Sequence, residues 1–182
     1  MKIESTDIEG LLVITPRIFE DDRGYFFESF NKQVFENYTS SSIEFVQDNQ
    51  SKSQKNVLRG LHFQNPPFDQ GKLVRVIQGS VLDIALDIRK NSPTFGQHFK
   101  ITLDTTLHQM LWIPSGFAHG FISLEDDTIF SYKCTNYYNK ESEGCILYND
   151  TDINIDWETI SPILSDKDKV GENFSTFVSQ FN

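Results

Sequence analysis

The nine residues from Val81 to Arg89, VLDIALDIR, decide the fold. Leu82, Ile84, Leu86 and Ile88 fall on one side of an extended chain, and Val81, Asp83, Ala85, Asp87 and Arg89 on the other. Successive side chains of a β-strand point to opposite faces, so strict alternation of this kind reads as a strand. Similar short runs occur on both sides of it: Leu11 to Thr15, Gly24 to Phe30, Phe45 to Asn49, Val57 to Gln64, Leu73 to Gln78, His98 to Leu103, Gln109 to Ile113, Gly120 to Leu124, Thr128 to Thr135 and Cys145 to Tyr148. Turn-forming clusters separate them, among them Glu20-Asp-Asp-Arg-Gly24, Asn65-Pro-Pro67, Gln78-Gly79-Ser80, Asn91-Ser-Pro-Thr94 and Glu125-Asp-Asp127. Regular short strands between turns predict an all-β sandwich or barrel of jelly-roll proportions. Helices are expected only at the periphery, one after Asn31 (KQVFENY) and one near the C-terminus after Ser165.

The 182 residues show no repeat, low-complexity tract or linker, which predicts one domain, 1–182, with a substantial core. Charged residues at 23% and hydrophobic residues at 38%, with 16 Phe, belong to a folding sequence. A net charge of −10 argues against general nucleic-acid affinity, because neutralising phosphates needs a basic face. An anionic small ligand stays open wherever cations are focused locally. No apolar run reaches membrane-spanning length, and the start MKIESTDIEG lacks the basic-then-apolar layout of a signal peptide, so the cytoplasm is the expected location. Cys134 and Cys145 fit neither C-x-x-C nor a zinc spacing and are expected to be reduced and structural.

Two stretches carry chemistry. In Val57 to Gln64, alternation places Leu58, Gly60, His62 and Gln64 on one face, with Val57, Arg59, Leu61 and Phe63 on the other. Gly60 leaves room for a ligand beside His62. Beyond the Pro66-Pro67 connection, Lys72, Val74 and Val76 share a face opposite Leu73, Arg75 and Ile77. The connection is expected to set the two strands side by side, with His62 near Lys72. Taken alone, a strand histidine is more often a hydrogen-bonded core or surface residue than a catalyst.

Pro114-x-Gly116-x-x-His119 resembles the second motif of the cupin superfamily, in which the histidine points into a barrel. Where metal-binding cupins carry two histidines in their first motif, this chain reads His62-Phe63-Gln64. With only four histidines (62, 98, 108 and 119), a His-rich metal site is short of ligands, and a cupin-like jelly-roll barrel without a metal is expected. Such a barrel can still move protons beside a carbonyl, given a base, an acid and a cation near the enolate oxygen. His62 suits the base, since an imidazole titrates near neutrality. Lys72 suits the cation. Tyr132 shares a strand face with Phe130 and Cys134, where it can serve as the acid or simply fill the core with its hydroxyl satisfied.

Longer segments extend this reading. Asp22-Arg-Gly-Tyr-Phe-Phe-Glu-Ser29, Phe45-Val-Gln-Asp-Asn49, Asn56-Val-Leu-Arg-Gly-Leu-His-Phe-Gln64, Gln70-Gly-Lys-Leu-Val-Arg75, Leu111-Trp-Ile-Pro-Ser-Gly-Phe-Ala-His-Gly-Phe121 and Tyr132-Lys-Cys-Thr-Asn-Tyr-Tyr138 together resemble the dTDP-4-dehydrorhamnose 3,5-epimerase family, from about Ile8 to Asp168. The resemblance implies a jelly-roll homodimer without metal or other cofactor that inverts C3 and C5 of a dTDP-linked 4-keto-6-deoxy-D-glucose. A relative inverting only one carbon is the alternative, and a non-catalytic sugar-nucleotide-binding cupin a remote one. By the same resemblance His62 is the base, paired with Asp168, Tyr132 is the acid and Lys72 stabilises the enolate. Arg23, Glu28, Gln47, Asp48, Asn49, Arg59, His119, Glu143 and Lys167 are implied nucleotide-sugar contacts, with Tyr138 stacking on thymine. Ser165-x-x-Asp168 also matches a helix capping box, a purely structural use of Asp168.

Overall fold

The computed structural model describes residues 1–39 and 42–182. In chain order its strands are β1 (Lys2–Ser5), β2 (Leu12–Thr15), β3 (Phe19–Asp21), β4 (Gly24–Phe26), β5 (Gln47–Ser53), β6 (Leu58–Gln64), β7 (Lys72–Gln78) and β8 (Ser80–Asp87). They continue with β9 (His98–Asp104), β10 (Met110–Ile113), β11 (Phe117–Ser123), β12 (Thr128–Cys134) and β13 (Glu143–Cys145). One α-helix, α1 (Lys32–Thr39), lies between β4 and β5. The strands form a six-stranded sheet, β1-β2-β10-β7-β12-β5, facing a five-stranded sheet, β13-β6-β11-β8-β9, with β3 and β4 as a separate hairpin. This is the all-β barrel that the strand pattern predicts, with the cupin-like form that the motif around His119 implies.

Both faces of β8 are buried. Val81 and Ala85 join Val74, Val76, Phe121 and Phe130 between the sheets. Leu82, Ile84, Leu86 and Ile88 point the other way, under Ile153, Trp157 and Phe181 of the C-terminal segment. Full burial of such a side chain contributes roughly 1.5–3 kcal/mol, so the long C-terminal segment acts as a third layer. Asp87 ends the strand fully buried, taking hydrogen bonds from Arg89 (2.7 Å), Ser92 (2.6 Å) and Thr94 (2.7 Å). Outside the other sheet, Asn31 caps α1 through its side chain (3.2 Å to the Val34 amide), and Phe35 packs edge-on against Trp112.

Three expectations are corrected. The strands of His62 and Lys72 are not side by side: β6 belongs to the five-stranded sheet and β7 to the other, so the Pro66-Pro67 connection crosses the barrel. Alternation along β6 also fails. Phe121 pairs with Arg59 and His119 with His62, so two steps on β11 span three on β6, a bulge. Leu58, Leu61 and Phe63 consequently pack under the C-terminal layer, whereas Arg59 and His62 both line the barrel interior. The expected C-terminal helix is a single 3-10 turn, Asp168–Val170, because the chain turns extended at Gly171 and the Glu172 amide bonds the Cys145 carbonyl (2.8 Å).

Gly60 makes the bulge possible. Its φ is +129°, and a Cβ there would stand 2.5 Å from Gly120 Cα and 2.7 Å from the His119 carbonyl oxygen. Gly60→Ala is therefore expected to destabilise the fold by about 1–3 kcal/mol or more, read as a lower urea midpoint at unchanged slope.

Candidate active site

His62 leaves the bulged strand facing Asp168, its Nε2 2.5 Å from Oδ1. Parallel bridges pin the C-terminal segment on either side of Asp168, Val57 with Ile163 and Ile146 with Glu172. The Ser165 hydroxyl donates to Oδ2 (2.6 Å), the Gly60 amide to Oδ1 (3.4 Å), and the Asp168 amide donates back to Ser165 (3.2 Å). The capping-box bonds and the contact with His62 thus coexist. Burial opposes ionisation of Asp168, but these hydrogen bonds outweigh it and hold the carboxyl below the ordinary carboxylate range. A carboxylate at Nε2 keeps the proton there and leaves the lone pair on Nδ1.

His62, Lys72 and Tyr132 line two adjoining lobes of one cavity, of about 330 and 230 Å³. Lys72 projects from β7 across the barrel, and burial lowers its ammonium pKa. Burial raises the Tyr132 phenol, which keeps it protonated at neutral pH and able to donate. The inner lobe also receives Arg59, whose Nε donates to Ser53 (3.2 Å), and His119, whose Nε2 lies 3.0 Å from both oxygens of the fully buried Asp83.

Gln47, Asn49, Tyr138 and Glu143 line the outer lobe. The Tyr138 hydroxyl donates to Glu143 (3.1 Å) and its amide to the Gln47 side chain (3.0 Å), while Lys167 forms an ion pair with Glu143 at the rim. Three residues implied by the resemblance lie elsewhere. Arg23 is exposed at the tip of the β3–β4 hairpin, bonded to Asp21. Glu28 accepts from Asn31 outside the cavity (3.2 Å). Asp48 alternates to the outer face of β5 and pairs with Lys133 (3.0 Å). Asp166, two residues before Asp168, is exposed and paired with Lys169.

Sequence reasoning missed four residues at or beside the cavity. Gln64 ties the rim together by donating to the Phe68 (2.6 Å) and Tyr137 (3.2 Å) carbonyls and accepting from the Asn139 amide (2.7 Å). Ser51 lines the inner lobe with its buried hydroxyl unpaired among the described residues. Asp83 hides in the apolar alternation of VLDIALDIR, and only an acid at a core position could have flagged it. Cys145 pairs in register with His62. Burial and the Asp168 carboxylate push its thiol up to about 11. Among the described residues, the group whose donor atoms converge closely enough for a metal ion is His62, Cys145 and Asp168.

An imidazole–carboxylate pair, a half-buried ammonium and a protonated phenol around one cavity of a cupin-like barrel define a class, the acid–base enzymes that shift protons at carbon beside a carbonyl. The profile of the dTDP-4-dehydrorhamnose 3,5-epimerases matches residues 5–176, and the chain belongs to that family. It is 53% identical over 169 residues to the dTDP-4-dehydrorhamnose 3,5-epimerase of Salmonella typhimurium, covering 92% of each chain. The crystal structure of the Elizabethkingia anophelis dTDP-4-dehydrorhamnose 3,5-epimerase superposes with a TM-score of 0.92 at 46% identity, covering 96% of this chain and 97% of that one. The Legionella pneumophila dTDP-6-deoxy-D-glucose-3,5-epimerase, solved with dTDP-4-keto-L-rhamnose, gives 0.88 at 48%, covering 92% and 89%.

The depressed Asp168 pKa carries a stability consequence. Its folded value lies below the unfolded one of about 3.9, so the His62–Asp168–Ser165 contacts contribute fully above that pH and fade as pH falls through the folded value. Asp168→Asn should cost about 1.5–3 kcal/mol at pH 7. The gap in melting temperature between wild type and variant should close as the pH is lowered towards 3.

Proposed function

We propose that this chain inverts C3 and C5 of dTDP-4-dehydro-6-deoxy-D-glucose to give dTDP-4-dehydro-L-rhamnose. The observation that carries the reading is that His62, Tyr132 and Lys72 all line the same cavity. The C4 ketone acidifies both neighbouring carbons. His62 Nδ1 takes a proton from one of them and becomes an imidazolium, which the Asp168 carboxylate stabilises. The electron pair moves onto the C4 oxygen as an enolate, where the Lys72 ammonium offsets the charge. Tyr132 then protonates the same carbon on the opposite ring face. Solvent returns a proton to Tyr132 and removes one from His62, and the second carbon follows by the same steps.

The nucleotide occupies the outer lobe, with Tyr138 against the base and Gln47, Asn49, Glu143 and Lys167 around it. Arg59 and His119 reach the diphosphate and sugar from the inner lobe; the planar Arg59 fork can give two hydrogen bonds to one phosphate. A homodimer accounts for Arg23 and Glu28. The β3–β4 hairpin exposes Phe19, Tyr25 and Phe26, the last at 66%, a surface that a second copy would cover while carrying Arg23 towards the partner's cavity. The unpaired thiols of Cys134 and Cys145 suit the reducing cytoplasm.

In deuterated water, turnover of the keto sugar should place label at both C3 and C5, read by NMR. Label at C3 alone would reduce the assignment to a single inversion. His62→Ala should lose about 10²–10⁴-fold in kcat with dTDP affinity little changed. Tyr132→Phe should separate the steps: His62 still exchanges a proton on its own face, so label enters recovered substrate while inversion falls at least ~10²-fold. Light scattering should report twice the chain mass, and Arg23→Ala should raise KM. A monomer with full activity would remove the dimer from the proposal.

A further inference from the structure

Cys145 takes no part in the proton transfers, yet it lies beside both members of the catalytic pair. It stands opposite His62 in the β13–β6 register, and directly opposed residues of antiparallel strands project on the same side. The 3-10 turn brings Asp168 to the same point from the C-terminal segment. One donor atom from each of the three residues lies within 4.8 Å of the others.

We propose that His62, Cys145 and Asp168 bind a single dipositive ion of the zinc type, and that occupation of this site switches the enzyme off. The donor set supports this choice. Imidazole nitrogen, thiolate sulfur and carboxylate oxygen are the ligands that zinc and cobalt prefer, whereas magnesium and calcium select oxygen donors alone. Ligands on one tetrahedral zinc stand roughly 3.5 Å apart, given bonds of about 2.0–2.3 Å, so the widest separation must close by about 1 Å, while His62 Nε2 and Asp168 Oδ1, 2.5 Å apart, must open by about 1 Å as the ion takes the place of the shared proton. Three protein ligands leave the fourth position to water or substrate, and His62 already opens on the cavity.

The binding step balances simply. The Cys145 thiol gives its proton to solvent as the sulfur–metal bond forms, neutral His62 shifts its proton from Nε2 to Nδ1 through solvent and contributes the Nε2 lone pair that faces Asp168, and Asp168 contributes a carboxylate oxygen. The ion and the three groups carry a net charge of +1 before the step, and afterwards that charge leaves as the released proton. With its lone pair and carboxylate partner engaged, His62 cannot take a proton from a sugar carbon. That inhibitory half rests on His62 being the base. The ligation half does not.

The test uses cobalt as a spectroscopic probe and zinc as the inhibitor, on the full chain. Co²⁺ added anaerobically to the wild-type protein should give a sulfur-to-cobalt charge-transfer band in the near ultraviolet together with visible bands of tetrahedral intensity. Cys145→Ser should lack the charge-transfer band. It should retain turnover and need at least about tenfold more Zn²⁺ for half inhibition, the scale on which weakened metal sites lose affinity. Cys145→Ala serves as the second variant should the serine version fold poorly, and a chelator should restore zinc-treated wild type. A cobalt band that persists without Cys145, or equal zinc sensitivity of wild type and variant, overturns the site. A wild type inert on the keto sugar would count against the epimerase reading instead, while the cobalt titration would still decide ligation.

Discussion

The backbones of β6 and β11 touch at Gly60 and Gly120, and the rest of the active site depends on that contact. A side chain on either residue would collide with the other strand: a Cβ at Gly60 meets Gly120 Cα at 2.5 Å, and one at Gly120 meets the Arg59 carbonyl oxygen at 2.8 Å. Close approach accommodates one extra residue in β6, and the extra residue turns Arg59 and His62 to the same side of the sheet. It also aims the Gly60 amide at Asp168. The bulge therefore orients the imidazole, supplies a cation beside it and helps to anchor its carboxylate partner, all within four consecutive residues.

Charge is arranged against the overall balance of the chain. The net charge is −10, yet Arg59, Lys72 and Lys167 gather at one cavity and its rim. An ammonium partly withdrawn from water into a pocket acts on a developing oxyanion more strongly than a fully solvated one. The acids nearby are each committed: Asp168 to His62, Asp83 to His119 and Glu143 to Lys167 and Tyr138. Two imidazole–carboxylate pairs thus share the cavity, but only that of His62 is held by the tail-anchored turn beside Cys145.

Much was legible in the sequence. Apolar alternation in VLDIALDIR, Leu73 to Gln78 and Thr128 to Thr135 located strands, because a strand buried against a layer must present apolar residues at a period of two. The motifs around His62, Lys72, Tyr132 and His119 named residues that meet in one cavity. Elements lacking that signature were found only in part, as with β5, where the run from Phe45 to Asn49 covers just its first residues, or escaped, as with β1 and β3. β5 runs Gln-Asp-Asn-Gln-Ser-Lys-Ser, polar because its inner face lines the cavity, and β1 and β3 are short edge strands with little to bury. The expected C-terminal helix falls on a stretch where the Ser165 side chain binds Asp168, and Asp168 in turn binds His62, rather than supporting a further turn.

By itself, then, the sequence determined an all-β barrel and the chemical types that would work inside it, since periodicity and residue identity are local properties. Only the tertiary structure decided which of them meet. It set β6 and β7 in opposite sheets, so that His62 and Lys72 face each other across the barrel. It brought Asp168 a hundred residues along the chain to within hydrogen-bonding distance of His62, and it left Arg23 and Glu28 outside the cavity of their own chain. Register, bulge and long-range closure arise from how strands pack against one another, and no short window of residues encodes them.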